Sequence, residues 1–424
     1  MPNESFYLPA KKSMIFMAWV ICLVVTLDYS YDFFIRAAPG VMAQSLSEAF
    51  KIDSTQIGWL SSAYFISYTI MQLPAGIILD KYNRKLVIGG ATLLCVLGNY
   101  LFSATNSYEI AFIGRIFMGI GSAFGFIGAA KMAAMWLPRR FFSAFISFAT
   151  MIGILGGLVT DTFLSTLVRD LGWRQGNEVF TYIGVAILLL VFILVKDNKK
   201  FVEQHSHINN ASLLENIQMV ARIFTNYKFW AAALIGAALF IPINVLGSLW
   251  GVGFIQAKYQ LSEAYASYIN SILFLGTAIG FGLAALISIF TTRFRLMLTI
   301  SLFSLVVISA ILLYMDISLK TFIVLYFFLG LMSGSEALTF AIGRFISPKG
   351  TAGSATAGIN LINNMIPVIL LPAIGHILVK YGSFIKGSSS IYTISSYHHA
   401  LAVIIVLLII CLPITMLLPR NTEI

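Results

Sequence analysis

Twelve apolar runs, most of them 19 to 30 residues long, dominate the 424-residue chain and constrain its fold more than any other feature. They cover 13 to 37, 56 to 79, 86 to 104, 109 to 136, 141 to 165, 177 to 195, 228 to 256, 264 to 289, 296 to 315, 320 to 346, 351 to 379 and 397 to 418. About 20 apolar residues in a helix cross a hydrocarbon core of roughly 30 Å. Lipid offers no partner for backbone N–H and C=O groups, so such runs must be helical. Composition agrees: 59% of residues are hydrophobic and 10% are charged, which excludes a water-soluble globular fold. The expectation is an all-α membrane protein. Lys11 and Lys12 precede the first run, but that run is too long and too charged for a cleaved leader and reads as a retained span.

Loop charges orient the chain. With the N-terminus inside, 17 Lys and Arg fall in inner segments and 7 in outer ones, so both termini are expected to be cytoplasmic. The net charge of +10 then reflects loops facing an anionic leaflet, and no basic run with interleaved aromatics points to nucleic acid. Cys22, Cys95 and Cys411 all lie in apolar runs, which indicates neither a disulfide framework nor a metal site.

The polar stretch "KDNKKFVEQHSHINNASLLENIQ", starting at Lys196, divides the chain into 1–195 and 228–424 around a linker at 196–227. Its His205 and His207 read as solvated linker residues. The halves repeat: with Pro138 set on Pro348, an offset of 210, Lys85 falls on Arg295 and the basic loop after the second span recurs after the eighth. Two six-helix bundles around a central pathway follow from this repeat.

Polar groups inside the spans mark candidate sites. In "TLDYSYDFFIRAAP", Asp28, Asp32 and Arg36 recur at i, i+4 and i+8 and share a helix face. That face must look into the bundle, because lipid would make it prohibitively costly. Tyr64, Tyr68 and Gln72 form the same stripe on the second span, and Asn360, Asn363 and Asn364 cluster on the eleventh. Such stripes line pathways or bond neighbouring helices. Arg115, Lys131 and Glu336 are further embedded charges; Lys131 either attracts a substrate carboxylate or snorkels to the interface. Asn244, beside Pro242, marks a break in the seventh helix. Asp161 sits near the outer end of the fifth span and reads as peripheral.

Two motifs carry a family resemblance. "GIILDKYNRK", from Gly76 to Lys85, resembles the Gly-x-x-x-Asp-Arg/Lys-x-Gly-Arg-Arg/Lys loop of the major facilitator superfamily, with Asn83 replacing the second glycine. Asparagine is expected to supply the left-handed turn there, and Gly76 close helix packing. "GRIFMGIGSAFGFIGAAK" matches the fourth-helix Arg-x-x-x-Gly-x-Gly-x-Ala pattern through Arg115, Gly119, Gly121 and Ala123. The resemblance implies twelve helices in two bundles, alternating access, and a conformational lock built from Gly76, Asp80, Lys81, Arg84 and Lys85. It also implies a monomer, and first and fourth helices that line the cavity.

On that reading Asp28 or Asp32 pairs with Arg115, and Asp28, Asp32, Arg115 and Glu336 are the proton-coupling candidates. Arg36, Tyr64, Tyr68, Gln72, Lys131, Asn244, Asn360, Asn363 and Asn364 are the substrate-binding candidates. No GxxxxGK[ST] sequence supplies an ATP-driven engine, and no cofactor or enzymatic activity is indicated. "GILGGLVTD" lacks the proline of the drug-antiporter fifth-helix pattern, which favours uptake. The helix wording also resembles the phagosomal nutrient transporters of intracellular gammaproteobacteria and their organic-anion-porter relatives. The expectation is proton-coupled import of a small polar nutrient, an amino acid or organic anion, across a bacterial inner membrane. An exporter of drugs or siderophores is second, and a non-transporting receptor third.

Overall fold

A computed structural model of the protein describes residues 12–198, 223–347, 352–383 and 392–420. The core of the expected linker, with His205 and His207, lies outside the described residues, as do Lys11 and Pro348. Twelve helices are long and apolar enough to cross a membrane: Ile15–Val41, Ser54–Lys81, Arg84–Ala104, Tyr108–Trp136, Phe145–Leu171, Trp173–Leu194, Tyr227–Tyr259, Glu263–Phe290, Phe294–Tyr314, Leu319–Ile346, Ala355–Tyr381 and Ile394–Leu417. These are called the first to twelfth spans. Hydropathy alone locates all of them; the largest difference in the first half is at the fifth span, which runs on six residues past the expected 165 to Leu171.

Helix starts follow local capping chemistry. Asp53 opens the second span with a reciprocal box: its carboxylate accepts from Gln56 N at 2.8 Å while Gln56 Oε1 accepts from Asp53 N at 3.0 Å. Ser107, Ser262, Ser318 and Thr393 cap the fourth, eighth, tenth and twelfth spans through their hydroxyls. These caps all lie at one end of the molecule, called here the far end, opposite the end where both termini emerge.

Packing repeats between the halves. The fourth span packs on the second and third, and the tenth packs on the eighth and ninth in the same way. Gly119 makes the second contact possible, since a Cβ there would lie 2.2 Å from the Tyr64 carbonyl oxygen. The two bundles meet along two seams, the second span against the eleventh and the fifth against the eighth. Both fifth and seventh spans contain π-helical segments, Thr160–Leu164 and Pro242–Trp250, so the break expected near Asn244 is a widened turn within a continuous helix.

The contacts that cross between bundles concentrate at the far end. A Cβ on Gly58 would lie 2.6 Å from the Leu371 carbonyl oxygen, and one on Gly375 would lie 2.2 Å from that of Ser54. Ser54 also meets Tyr392 at 3.1 Å, and Ser62 donates to the Val368 carbonyl at 3.1 Å. Toward the terminal end, Gly76 has nothing within 4 Å of its Cβ position. The molecule is therefore closed at the far end, and Gly76 does not serve close helix packing in this conformation.

Candidate functional site

The acidic face of the first span fans out as it climbs. Four residues turn a helix by about 40° beyond a full circle, so eight residues displace a side chain by about 80°. Asp28 accepts from Thr92 Oγ1 of the third span at 2.7 Å. Asp32 points at the fourth span, where a Cβ on Gly125 would come within 2.0 Å of its Oδ2, and that oxygen has no hydrogen-bond partner among the described residues. Arg36 reaches the second span, where Tyr64, Phe65 and Tyr68, together with Phe33 of its own span, surround its guanidinium with ring centres 5.5, 5.4, 5.1 and 4.7 Å from Cζ. All three side chains are buried.

Arg36 makes no ion pair among the described residues, and its buried Nε has no acceptor. Its positive charge is met at contact by aromatic faces, each contributing about 1–2 kcal/mol when desolvated, and through space by the buried acids Asp32 and Glu336.

Arg115 behaves differently. Neither Asp28 nor Asp32 pairs with it, contrary to the expectation from equal depth. Its Nη1 donates to the Ile35 carbonyl at 2.6 Å, its Nε to the Leu60 carbonyl at 3.4 Å, and its Cζ lies 5.0 Å from the Tyr64 ring centre. The two spans are not level as counted from their centres: Asp32 lies against Gly125, ten residues or about 15 Å along the fourth span from Arg115, and the aspartates face the third and fourth spans below it. Arg115 ties the far halves of the first and second spans to the fourth.

The other bundle completes the site with amides. Asn360 Nδ2 donates to Tyr68 Oη at 3.3 Å and to Gln72 Oε1 at 3.1 Å, so the stripes on the second and eleventh spans meet across the seam. Asn364 donates to the Asn360 carbonyl at 2.8 Å. Asn363 donates to buried Glu336, and Asn244 Nδ2 donates to the Asn363 carbonyl at 3.2 Å. Gln72 Nε2, Asn244 Oδ1, Asn363 Oδ1 and Asn364 Oδ1 are buried without protein partners among the described residues. A concentration of orphaned polar atoms between two bundles requires water or a polar ligand.

Lys131 is not in this cluster: its ammonium pairs with Asp80 in the last turn of the second span. Asp80 thus accepts from a lysine rather than from a helix end. Arg84 donates to the Asp80 carbonyl and lies 3.8 Å from Asp197 beyond the sixth span. Asn83 takes no left-handed turn; its φ is −60° and its side chain accepts from Leu86 N, so it caps the third span.

Sequence reasoning passed over one polar group. Asp161 is fully buried and accepts from Asn270 Nδ2 of the eighth span at 2.7 Å, while Tyr326 donates to Asn270 Oδ1 at 2.8 Å. The signal was an amide inside the apolar run of the eighth span, which requires a polar partner.

Two bundles of six helices with polar, partly unsatisfied groups at mid-height define a membrane transport protein that works by moving one bundle against the other. Residues 21–369 match the Major Facilitator Superfamily, and the chain belongs to it. It is a multi-pass membrane transporter and not an enzyme. The chain is 22% identical to the uncharacterized transporter YybO of Bacillus subtilis, over 86% of its length and 88% of that protein. It is 21% identical to the probable galactarate/D-glucarate transporter GudP of Escherichia coli, again over 86% and 88% of the two chains. Among solved structures, a bacterial homologue of the lysosomal transporter Spinster superposes with a TM-score of 0.71 at 16% identity, covering 94% of this chain and 96% of that one. A D-xylose-proton symporter superposes at 0.70 and 14% identity, covering 95% and 98%.

Proposed function

We propose that the protein imports a small organic anion, of the polyhydroxy-carboxylate class, in symport with protons. The observation that carries this reading is Arg36: a buried guanidinium, caged by rings and lacking any ion pair among the described residues, opposite a cluster of amides suited to hydroxyl groups. Relatives named as galactarate/D-glucarate transporters favour this class over the amino acids that the sequence also allowed. Asp32 is the leading proton carrier, because one of its oxygens is buried without a bond while Asp28 is held by Thr92. Glu336, held by Asn363, is the acid of the opposite bundle. Both termini face the cytoplasm and the molecule acts as a monomer in the bacterial inner membrane.

Uptake of labelled galactarate and D-glucarate into proteoliposomes tests the reading. Accumulation should require an inward proton gradient and rise as outside pH falls. Arg36→Gln should cost about 2–4 kcal/mol of anion affinity, roughly 30- to 1000-fold. Asp32→Asn should keep exchange of substrate across the membrane and lose gradient-driven accumulation. Accumulation of amino acids without any of organic anions would sink the substrate class.

A further inference from the structure

Asp161 lies outside the Arg36 cage, in the seam between the fifth and eighth spans, and the transport site above gives it no role. Several observations converge on it. The residue is buried completely, and its Oδ1 has no hydrogen-bond partner among the described residues. Its Oδ2 receives one bond, from Asn270 across the seam. Asn270 cannot turn away, since its Oδ1 accepts from Tyr326 and its Nδ2 also reaches the Gly247 carbonyl at 3.3 Å. Asp161 stands in one π-helical segment and Gly247 in the other, so the two widened turns of the molecule meet at this amide. Wide turns of this kind recur at functional sites.

The surroundings of the carboxyl are neutral. The first span presents the Phe34 carbonyl, which accepts from neighbouring Thr160. The eighth span presents Asn270 and the tenth presents Tyr326 through it. Among the described residues, no Lys, Arg or His forms an ion pair with Asp161. An ionised carboxylate held in such a place, with one neutral donor and no cation, costs several kcal/mol relative to water. The neutral acid, carrying its proton on Oδ1, avoids that cost and keeps the Asn270 bond.

We infer that Asp161 is a second proton-binding site that ties protonation to closure of the far end: the seam closes over the neutral acid, and loss of the proton favours separation. When the bundles part there, Asn270 leaves and water reaches the carboxylate. One proton is taken up at each closure and released at each opening, with no other bond made or broken. The inference extends the proton-coupled reading above, adding a site that senses protons at the seam rather than beside the substrate.

The test is a distance measurement on the full chain in lipid nanodiscs, with spin labels on cysteines placed at Ala49 and Ser262, exposed at the far end of each bundle, after replacing the three native cysteines. The unmodified seam should give a short distance at pH 5 and a growing long-distance population by pH 8. Asp161→Asn should stay short at both pH values, while Asp161→Glu should restore the shift. Asn270→Leu, which removes the bond from the other side, should raise the long-distance population at pH 5. A wild-type pH shift that survives in Asp161→Asn overturns this assignment alone. Absence of gradient-driven uptake by the wild type overturns the coupling reading instead, so the two failures are distinguishable.

Discussion

The two ends of the molecule are held by different physics. At the far end, glycines bring backbones of opposite bundles into contact: Gly40 against Ser248, Gly58 against Leu371 and Pro372, and Gly375 against Ser54. At the terminal end, ion pairs join Lys131 to Asp80 and Arg84 to Asp197 without crossing between the bundles. Close packing stabilises only when every atom fits, whereas an ion pair tolerates distance and is weakened by salt. The far end should therefore respond steeply to added volume and hardly to ionic strength, and the terminal end the reverse.

Adding volume at Gly58 gives the largest expected effect. A leucine there meets backbone atoms of the eleventh span, which cannot rotate aside, so it should cost the closed state about 3 kcal/mol, roughly 150-fold in population. Uptake should fall at least tenfold, and the far-end spin-label distance should lengthen at every salt concentration. A variant that transports normally would show that closure does not need the glycine contact.

Next in size is Arg115→Leu, which strips the Ile35 and Leu60 carbonyls of a charged donor. Buried carbonyls left unpaired, together with the lost charge-assisted bonds, should lower stability by about 2–3 kcal/mol. The check is thermal unfolding of the purified protein, with salt changing the deficit little because the group is buried. A destabilisation that vanishes at high salt would move Arg115 into the class of the terminal-end charges.

How the sequence divides between what it discloses and what it conceals follows the range of the interactions. Spans are local: a run of apolar residues and a capping Asp or Ser suffice, and those elements are legible in advance. Stripes such as Tyr64, Tyr68 and Gln72 are legible too, because a helix repeats every 3.6 residues. Which neighbour a stripe meets is not local. The Asn360 contact to Tyr68 and Gln72 joins residues about 290 positions apart, and the Asp161 contact to Asn270 joins residues 109 apart. Counting from span centres misplaced Arg115 beside the aspartates because how far one span slides along another is set by packing: Asp32 is level with Gly125, and Arg115 lies ten residues further toward the far end. Lys131 reads in the sequence either as a substrate contact or as an interfacial lysine, because its partner Asp80 sits 51 residues away on another span.

That Lys131 pair gives the smallest expected effect and the sharpest contrast with the far end. Its side chains remain 36% and 40% exposed, so the ammonium and carboxylate keep much of their water. Exposed pairs of this kind contribute about 0–1 kcal/mol, and Lys131→Gln should lower stability by no more than that. At low salt the variant and the wild type should differ by up to a few degrees in unfolding temperature. Near 1 M salt, where the screening length falls to about 3 Å, the two curves should coincide. A deficit that persisted undiminished in high salt would mean that the terminal end, like the far end, is held by packing. In that case the loop would owe its stability to the shape of the helices it joins rather than to its charges.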